Sequence, residues 1–301
     1  MRVIVTGGAG FLGRATAEKL AARGHQVLAV DKTPAGFPSG IEGRAIDIAD
    51  QPAVERAFTD FRPDAAVHLA ALLTPASRGD IVAATRVNCL GTAIVLSAAV
   101  AAGARSIVYA SSVSALGLAD PARGDATIPV PGNVYGATKA YAEYLAASYA
   151  LDHPTLAFIG LRFGWVFGPG RDRGWRDVQA VIEAAARGER RVSYPDYPDP
   201  IDWTWVGDAA EVAARAALTH AAGHRVFNVA GDKRRVREAA AYLVGRFPGL
   251  VAEPVPGVTP PGAWLFANDG LAAAIGYAPT TRMEEGIDRL IESVAPGRAA
   301  T

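Results

Sequence analysis

The chain has one cysteine, Cys89, two methionines and four lysines. A single thiol excludes a disulfide framework and a thiolate metal cluster. Of five histidines, only His220 and His224 stand at HxxxH spacing. Position 221 is Ala, so the glutamate of a zinc protease is missing, and Gly223 weakens a helix there; no metal is expected. Net charge is absent as well, since 30 basic residues face 30 acidic ones. A neutral chain has no electrostatic footprint for nucleic acid or an anionic membrane. No apolar run is expected to reach the ~18 residues of a membrane span. The longest candidate, Ala93–Ala104, reads as a buried helix. The chain enters an apolar strand pattern directly after Met1-Arg2, so no signal segment is expected and a cytoplasmic location follows. Internal repeats and low-complexity tracts are missing too.

What is present is an ordinary globular composition, 50% hydrophobic and 20% charged over 301 residues. Short apolar runs at Val3–Val5, Val27–Val30, Ala65–Leu69, Ser106–Ala110 and Leu156–Leu161 carry no polar alternation, which suits strands covered on both faces. Between them lie helical patterns near Leu12–Arg23, Pro52–Phe61, Ile81–Ala102 and Tyr135–Leu151. This rhythm predicts an α/β fold with a Rossmann-type doubly wound parallel sheet. After residue 162, Gly and Pro crowd into Phe167–Gly174 and Tyr194–Pro200, read as long loops. A helix near Asp208–His220, a strand at Arg225–Val229 and two short amphipathic helices beyond Gly257 follow. The expected organisation is a nucleotide-binding domain over 1–161 and about 203–228. A smaller α/β C-terminal substrate lobe takes 162–202 and 229–301.

Thr6-Gly7-Gly8-Ala9-Gly10-Phe11-Leu12-Gly13 follows the first strand and opens a helix. Gly7 allows the tight turn, Gly10 lets the backbone approach a pyrophosphate, and Gly13 lets helix pack on strand. The free N–H groups and dipole of the helix N-terminus then favour the anion. The next strand ends at Asp31, whose carboxylate suits ribose hydroxyls and disfavours a 2′-phosphate, although Lys32 stands beside it. Asp47-Ile48 ends the following apolar stretch and is placed to meet an adenine; a plain strand-end carboxylate fits the spacing as well.

Tyr135 and Lys139 are four residues apart, on one helix face. A neighbouring ammonium stabilises a phenolate, which turns the tyrosine into a general acid and base for a hydroxyl or carbonyl. Ser111-Ser112 follow a strand, at the rim where doubly wound sheets bind ligands. A capping or turn role for either serine is equally compatible with that position.

These motifs together resemble the extended short-chain dehydrogenases/reductases, the NAD-dependent epimerase/dehydratase family. The resemblance runs through TGGAGFLG at 6–13, HLAA at 68–71, VNCLGT at 87–92, YASSVSALG at 109–117, YGATK at 135–139, LRFGWVFGPG at 161–170, WVGDAAE at 205–211 and FNVAG at 227–231. It implies NAD held by Gly7, Gly10, Phe11, Leu12, Gly13, Asp31, Asp47, Ile48, Leu69, Ala70, Ala71, Asn88, Ser111, Tyr135 and Lys139. It implies Ser112, Tyr135 and Lys139 as the catalytic set. It also implies a homodimer paired through the helices holding Asn88–Ala101 and Tyr135–Leu151. His68 and Cys89 read as structural residues.

The chain also departs from the family. Nucleotide-sugar enzymes usually carry Asn where Trp165 stands and Arg where Ile201 stands. Val113-Ser114 replace the acid pair of the dehydratases. Two partners of a diphosphate are therefore apolar, which argues for a smaller substrate. The pocket is expected to involve Leu73, Ser112, Val113, Phe163, Gly164, Trp165, Arg171 and Arg173, with an arginine fork for a carboxylate or phosphate. Tyr194, Tyr197, Trp203 and Trp205 wall that pocket or pack the lobe. The HLAALL run and short second lobe also resemble the L-threonine dehydrogenases. The expected reaction is NAD-dependent oxidation of a secondary alcohol in a sugar, sugar acid or hydroxy acid. The alternative is a sugar or nucleotide-sugar epimerase with tightly bound cofactor.

Overall fold

The five apolar runs grow into strands in a computed structural model that describes residues 1–33, 35–117, 124–258, 267, 268 and 270–294. In chain order the strands are β1 (Arg2–Thr6), β2 (Gln26–Asp31), β3 (Glu42–Ala45), β4 (Ala65–His68), β5 (Ser106–Ser112), β6 (Ala157–Phe163), β7 (Val166–Phe167), β8 (Arg191–Asp196), β9 (Ile201–Trp205), β10 (Gly223–Val229), β11 (Asp232–Arg234) and β12 (Val251–Pro256). The helices are α1 (Phe11–Ala22), α2 (Gln51–Phe61), α3 (Thr74–Gly79), α4 (Ile81–Ala84), α5 (Gly91–Ala101), α6 (Val134–Asp152), α7 (Asp177–Ala186), α8 (Val206–Ala217), α9 (Val236–Arg246), α10 (Leu271–Ile275) and α11 (Met283–Val294).

Seven strands form one sheet in the order β10-β6-β5-β4-β1-β2-β3, and every neighbouring pair is parallel. Alternate residues feed two cores. Val3, Val5, Val67, Val108 and Ile159 face the layer containing α1 and α8. Ile4, Leu28, Ala66, Ile107 and Phe158 face the layer of α2, α5 and α6. Both faces are covered, which is why these strands show no polar alternation. Capping residues set the helix starts on the site side. Asp50 accepts from the Ala53 N–H (3.2 Å) and Asn133 from the Gly136 N–H (2.8 Å).

Two expectations need correction. Tyr194–Pro200 is not a continuous loop, because Tyr194–Asp196 completes β8, which pairs in parallel with β12. Prolines at 195, 254 and 256 are tolerated because this ribbon has only two strands, each with a free edge. The apolar stretch is also longer than Ala93–Ala104. α4, a π-helical turn over Thr85–Leu90 and α5 run on as one 21-residue helix, Ile81–Ala101, apolar and long enough by composition to cross a membrane. Its inner side packs as a core helix, with Val95, Leu96 and Ala99 buried beneath α2 and α6. The turns expected at 259–266 lie outside the described residues.

Candidate active site

The carboxyl ends of β1, β2, β4, β5 and β6 meet at one rim, and the site is built there. After Thr6 the chain turns through Gly7, which has φ +71°. A Cβ on Gly7 would lie 2.8 Å from the Ala70 nitrogen, and one on Gly13 would lie 2.0 Å from the Gly7 carbonyl oxygen. Gly10 is the N-cap of α1, which has no side-chain cap and no acidic residue in its first turn. Phe11 and Leu12 follow in that turn. Asp31 accepts from the Ala9 and Thr33 N–H groups, at 3.3 and 3.1 Å, and so closes the turn from the β2 side. Asp47 accepts from Ala49 N–H at 2.9 Å, whereas Ile48 turns its side chain into the core against Gly91.

Beyond β4, Leu69 donates from its N–H to Thr6 (3.1 Å), bringing Leu69, Ala70 and Ala71 alongside the glycine turn. Asn88 differs from the expectation of a direct cofactor contact, because protein groups occupy its buried amide. Its Oδ1 accepts from Leu72 N–H (2.7 Å), and its Nδ2 donates to Leu72 O (3.0 Å) and Thr138 Oγ1 (3.1 Å). Thr138 in turn donates to the Tyr135 carbonyl at 2.8 Å.

His68 is buried between two threonines. Thr92 donates to Asn88 O (2.6 Å), so Thr92 Oγ1 accepts from His68 Nε2 (3.0 Å), and Nδ1 accepts from Thr6 (2.7 Å). Burial, reinforced by the Lys139 charge, pushes His68 down to about 3. The unfolded imidazole protonates near 6.5, so between the two values the unfolded state holds more protons. Stability present above pH 6.5 is therefore lost as pH falls toward 3, by about 1.4 kcal/mol per pH unit. His68→Gln should flatten that limb of a urea-denaturation series. An unchanged slope would show that His68 does not carry it.

Ser112, Tyr135 and Lys139 converge beside this turn. Ser112 ends β5, caps the 3-10 turn Val113–Leu116 by accepting from Ser114 N–H (3.1 Å), and lies 3.4 Å from the Phe163 carbonyl oxygen. Lys139 is buried on α6, donates to Ala110 O (2.8 Å), and holds its ammonium 5.7 Å from the Tyr135 ring centroid. Burial pushes Lys139 down to about 8. Burial also pushes Tyr135 up to about 12, against a hydrogen bond with Ser112 and the positive charge of Arg171. The expectation that the neighbouring ammonium lowers the phenol is thus modified: in this pocket burial dominates, and the Ser112 hydrogen bond and the Arg171 charge oppose it.

Beneath the three lies a buried ion pair that the sequence reading missed. Arg162 donates from Nε and Nη2 to the two Glu143 oxygens at 2.8 and 2.7 Å. Its remaining donors reach Asp125 O and Thr127 O, both at 3.0 Å. Ser111 donates to Glu143 (2.5 Å), so its hydroxyl faces this pair rather than the open rim expected of a cofactor contact. A spacing signal did exist: Glu143 continues the Tyr135, Lys139 interval by another four residues, on the buried face of α6.

The expected substrate residues separate. Leu73 is exposed at the rim, and Phe163 and Val113 are buried beside Ser112. At Gly164 a Cβ would meet only Asp202, at 3.9 Å. Trp165 is a correction. It is 4% exposed, stacks on Phe167 at 5.2 Å, meets Trp203 edge-on at 5.0 Å and donates to Trp175 O. It packs the lobe with Trp203, Trp205 and Tyr197 and does not line the rim. Arg173 is a second correction, since its side chain is 79% exposed and, among the described residues, pairs only with Asp172. Arg171 turns inward, 5.8 Å from the Phe11 ring centroid. Among the described residues no cluster of three metal-ligating side chains occurs.

The model of the NAD dependent epimerase/dehydratase family matches residues 3–230. The chain belongs to this family. Its fold superposes on the UDP-glucose 4-epimerase of Thermus thermophilus in complex with NAD with a TM-score of 0.84, at 30% identity over 98% of this chain and 99% of that one. The UDP-glucose 4-epimerase of Mycolicibacterium smegmatis is 28% identical over 97% of this chain and 98% of its own. The 2-alkyl-3-oxoalkanoate reductase of Stenotrophomonas maltophilia is 32% identical over 81% of this chain and 75% of its own.

Family members depend on NAD, and the residues here fit it. The Gly7–Gly13 turn leaves an uncapped helix start for the pyrophosphate, and Asp31 stands at the end of β2 for the ribose hydroxyls. The chain is an NAD-dependent enzyme of the epimerase/dehydratase family. Against the nucleotide-sugar members, Ile201 is fully buried and pairs with Arg234 in the small sheet β11-β9-β7. Neither Ile201 nor Trp165 presents a polar group to a diphosphate.

Proposed function

We propose that the protein is an NAD-dependent sugar epimerase that oxidises a secondary hydroxyl and reduces the resulting ketone from its other face. One observation carries this reading: Ser112, Tyr135 and Lys139 converge beside the glycine turn, in a chain aligned end to end with 4-epimerases. The cofactor contacts are Gly7, Gly10, Phe11, Leu12, Gly13, Asp31, Asp47, Ile48, Leu69, Ala70, Ala71 and Lys139, while Asn88 and Ser111 act as positioning residues. The cofactor domain is 1–161 with about 203–228, and the substrate lobe is 162–202 with 229–301.

When bound, NAD would supply the hydride chemistry of both the oxidation and the return. Tyr135 takes the hydroxyl proton and later returns one to the ketone oxygen. The Ser112 hydroxyl donates to that same oxygen. Lys139, anchored on Ala110 O, keeps a positive charge beside the Tyr135 ring and favours the phenolate. Epimerisation further requires the ketone to present its opposite face before reduction.

A second reading, simple oxidation of a small hydroxy substrate, draws on the burial of Trp165 and Ile201. The two differ in cofactor retention. Denaturing the purified protein without added cofactor should release near-stoichiometric NAD(H) from the epimerase. Negligible release, with NAD binding on addition, would overturn that reading in favour of the dehydrogenase.

A further inference from the structure

Three arginines sit close together on the loop after β7, and the fold treats them differently. Arg173 pairs with Asp172 in solvent, and Arg176 donates to Glu183 at 2.7 Å. Arg171 turns inward. One Nη donates to Val166 O and the other to Trp175 O (3.2 Å). Among the described residues no carboxylate stands within ion-pair distance of Arg171, and its buried Nε has no acceptor. Its guanidinium lies 5.8 Å from the ring centroid of Phe11, the first residue of α1. Arg171 Nη2 and Leu73 Cδ1 also flank Gly174, at 3.2 and 3.4 Å from the point its Cβ would take. Its charge reaches Tyr135 and opposes the upward shift of that phenol.

A partly buried guanidinium held, among the described residues, only by carbonyl dipoles has no counter-charge there, and leaving one so is unfavourable. Carbonyls fix its orientation without neutralising it. The unfilled Nε and the remaining Nη hydrogens form a fork of the kind that matches a carboxylate.

We propose that Arg171 binds a carboxylate of the substrate close to the carbon that Tyr135 serves, so that the substrate class is a sugar acid or hydroxy acid. This rests on the assignment of Tyr135 to the reacting centre, but not on whether epimerisation or oxidation follows. An anion could also come from the NAD pyrophosphate or from a nucleoside diphosphate, and the test separates these sources.

Binding of D-glucuronate, D-glycerate, D-glucose and UDP to the NAD-saturated protein is measured by calorimetry for the wild type, Arg171→Gln and Arg171→Lys. At least one of the two carboxylates should bind the wild type at least 10-fold more tightly than glucose. It should lose at least 10-fold in Arg171→Gln and recover partly in Arg171→Lys, whose point charge remains. NAD affinity should change less than 2-fold, which also reports that the glycine turn is folded. The proposal is overturned if carboxylates bind no better than glucose, if UDP alone weakens, or if NAD is the ligand that weakens. Because the readout is binding, a wrong reaction assignment leaves it intact; that failure appears instead as undiminished turnover on removal of the Tyr135 hydroxyl.

Discussion

Tyr135→Phe should reduce turnover by about 1000-fold, within the ~10²–10⁴ range of general acid–base catalysis, while leaving NAD binding unchanged. The substitution removes one oxygen from a partly buried ring on α6. The hydrogen bond with Ser112 goes with it, but the glycine turn and Asp31 are untouched. Without the phenol, no other titratable group described in contact with Ser112 can take the hydroxyl proton. The residual rate then comes from positioning by Ser112 and Lys139. In the free protein burial holds the phenol at about 12, so the base form is scarce at neutral pH. Positive charge around it raises that fraction, and turnover in the oxidising direction should rise with pH. A Tyr135→Phe protein with undiminished turnover would remove this residue from the mechanism.

Glu143→Ala should be among the most destabilising single changes in the molecule. It strands Arg162 in the interior with half its hydrogen bonds gone, a loss worth about 3–5 kcal/mol. Thermal unfolding should fall by roughly 5–10 °C. The Ser111 hydroxyl also loses its acceptor. Since Ser111 precedes Ser112 and Glu143 follows Lys139 by one turn, the pair locks β5, α6 and β6 together beneath the proposed reacting centre. Activity of the folded fraction should therefore drop as well. Removing both charges, as in Glu143→Leu with Arg162→Met, should recover part of the lost stability, because no uncompensated charge then remains. Differential scanning calorimetry decides the matter: a single variant melting within a degree of wild type would mean that water or another group neutralises Arg162.

Much of the site follows from local signals. The Gly7, Gly10 and Gly13 spacing specifies a turn that tolerates no Cβ at its tight points, and Asp31 follows from where the next strand ends. Tyr135 and Lys139 share a helix face because helical periodicity requires it, and Asn133 marks where that helix begins. Strands covered on both faces were legible as unbroken apolar runs. These features depend on neighbours within about one strand–helix unit, so the sequence alone determined the fold class and the family and singled out the residues proposed to react.

The remaining features depend on partners that only the folded chain brings together. β8 and β12 are about sixty residues apart, and their prolines imitate a loop until a two-stranded ribbon gives them free edges. Trp165 has the same identity whether it walls a pocket or packs a lobe; Phe167, Trp175 and Trp203 decide for the lobe. Ser111 and Ser112 are adjacent and face opposite sides of a strand, so one meets Glu143 and the other the rim. Arg171 and Arg173 differ by two positions on one loop, and only the carbonyls of Val166 and Trp175 draw the first inward. Periodicity can be read from one segment, but the direction of a loop side chain is decided by groups that only the folded loop brings within its reach.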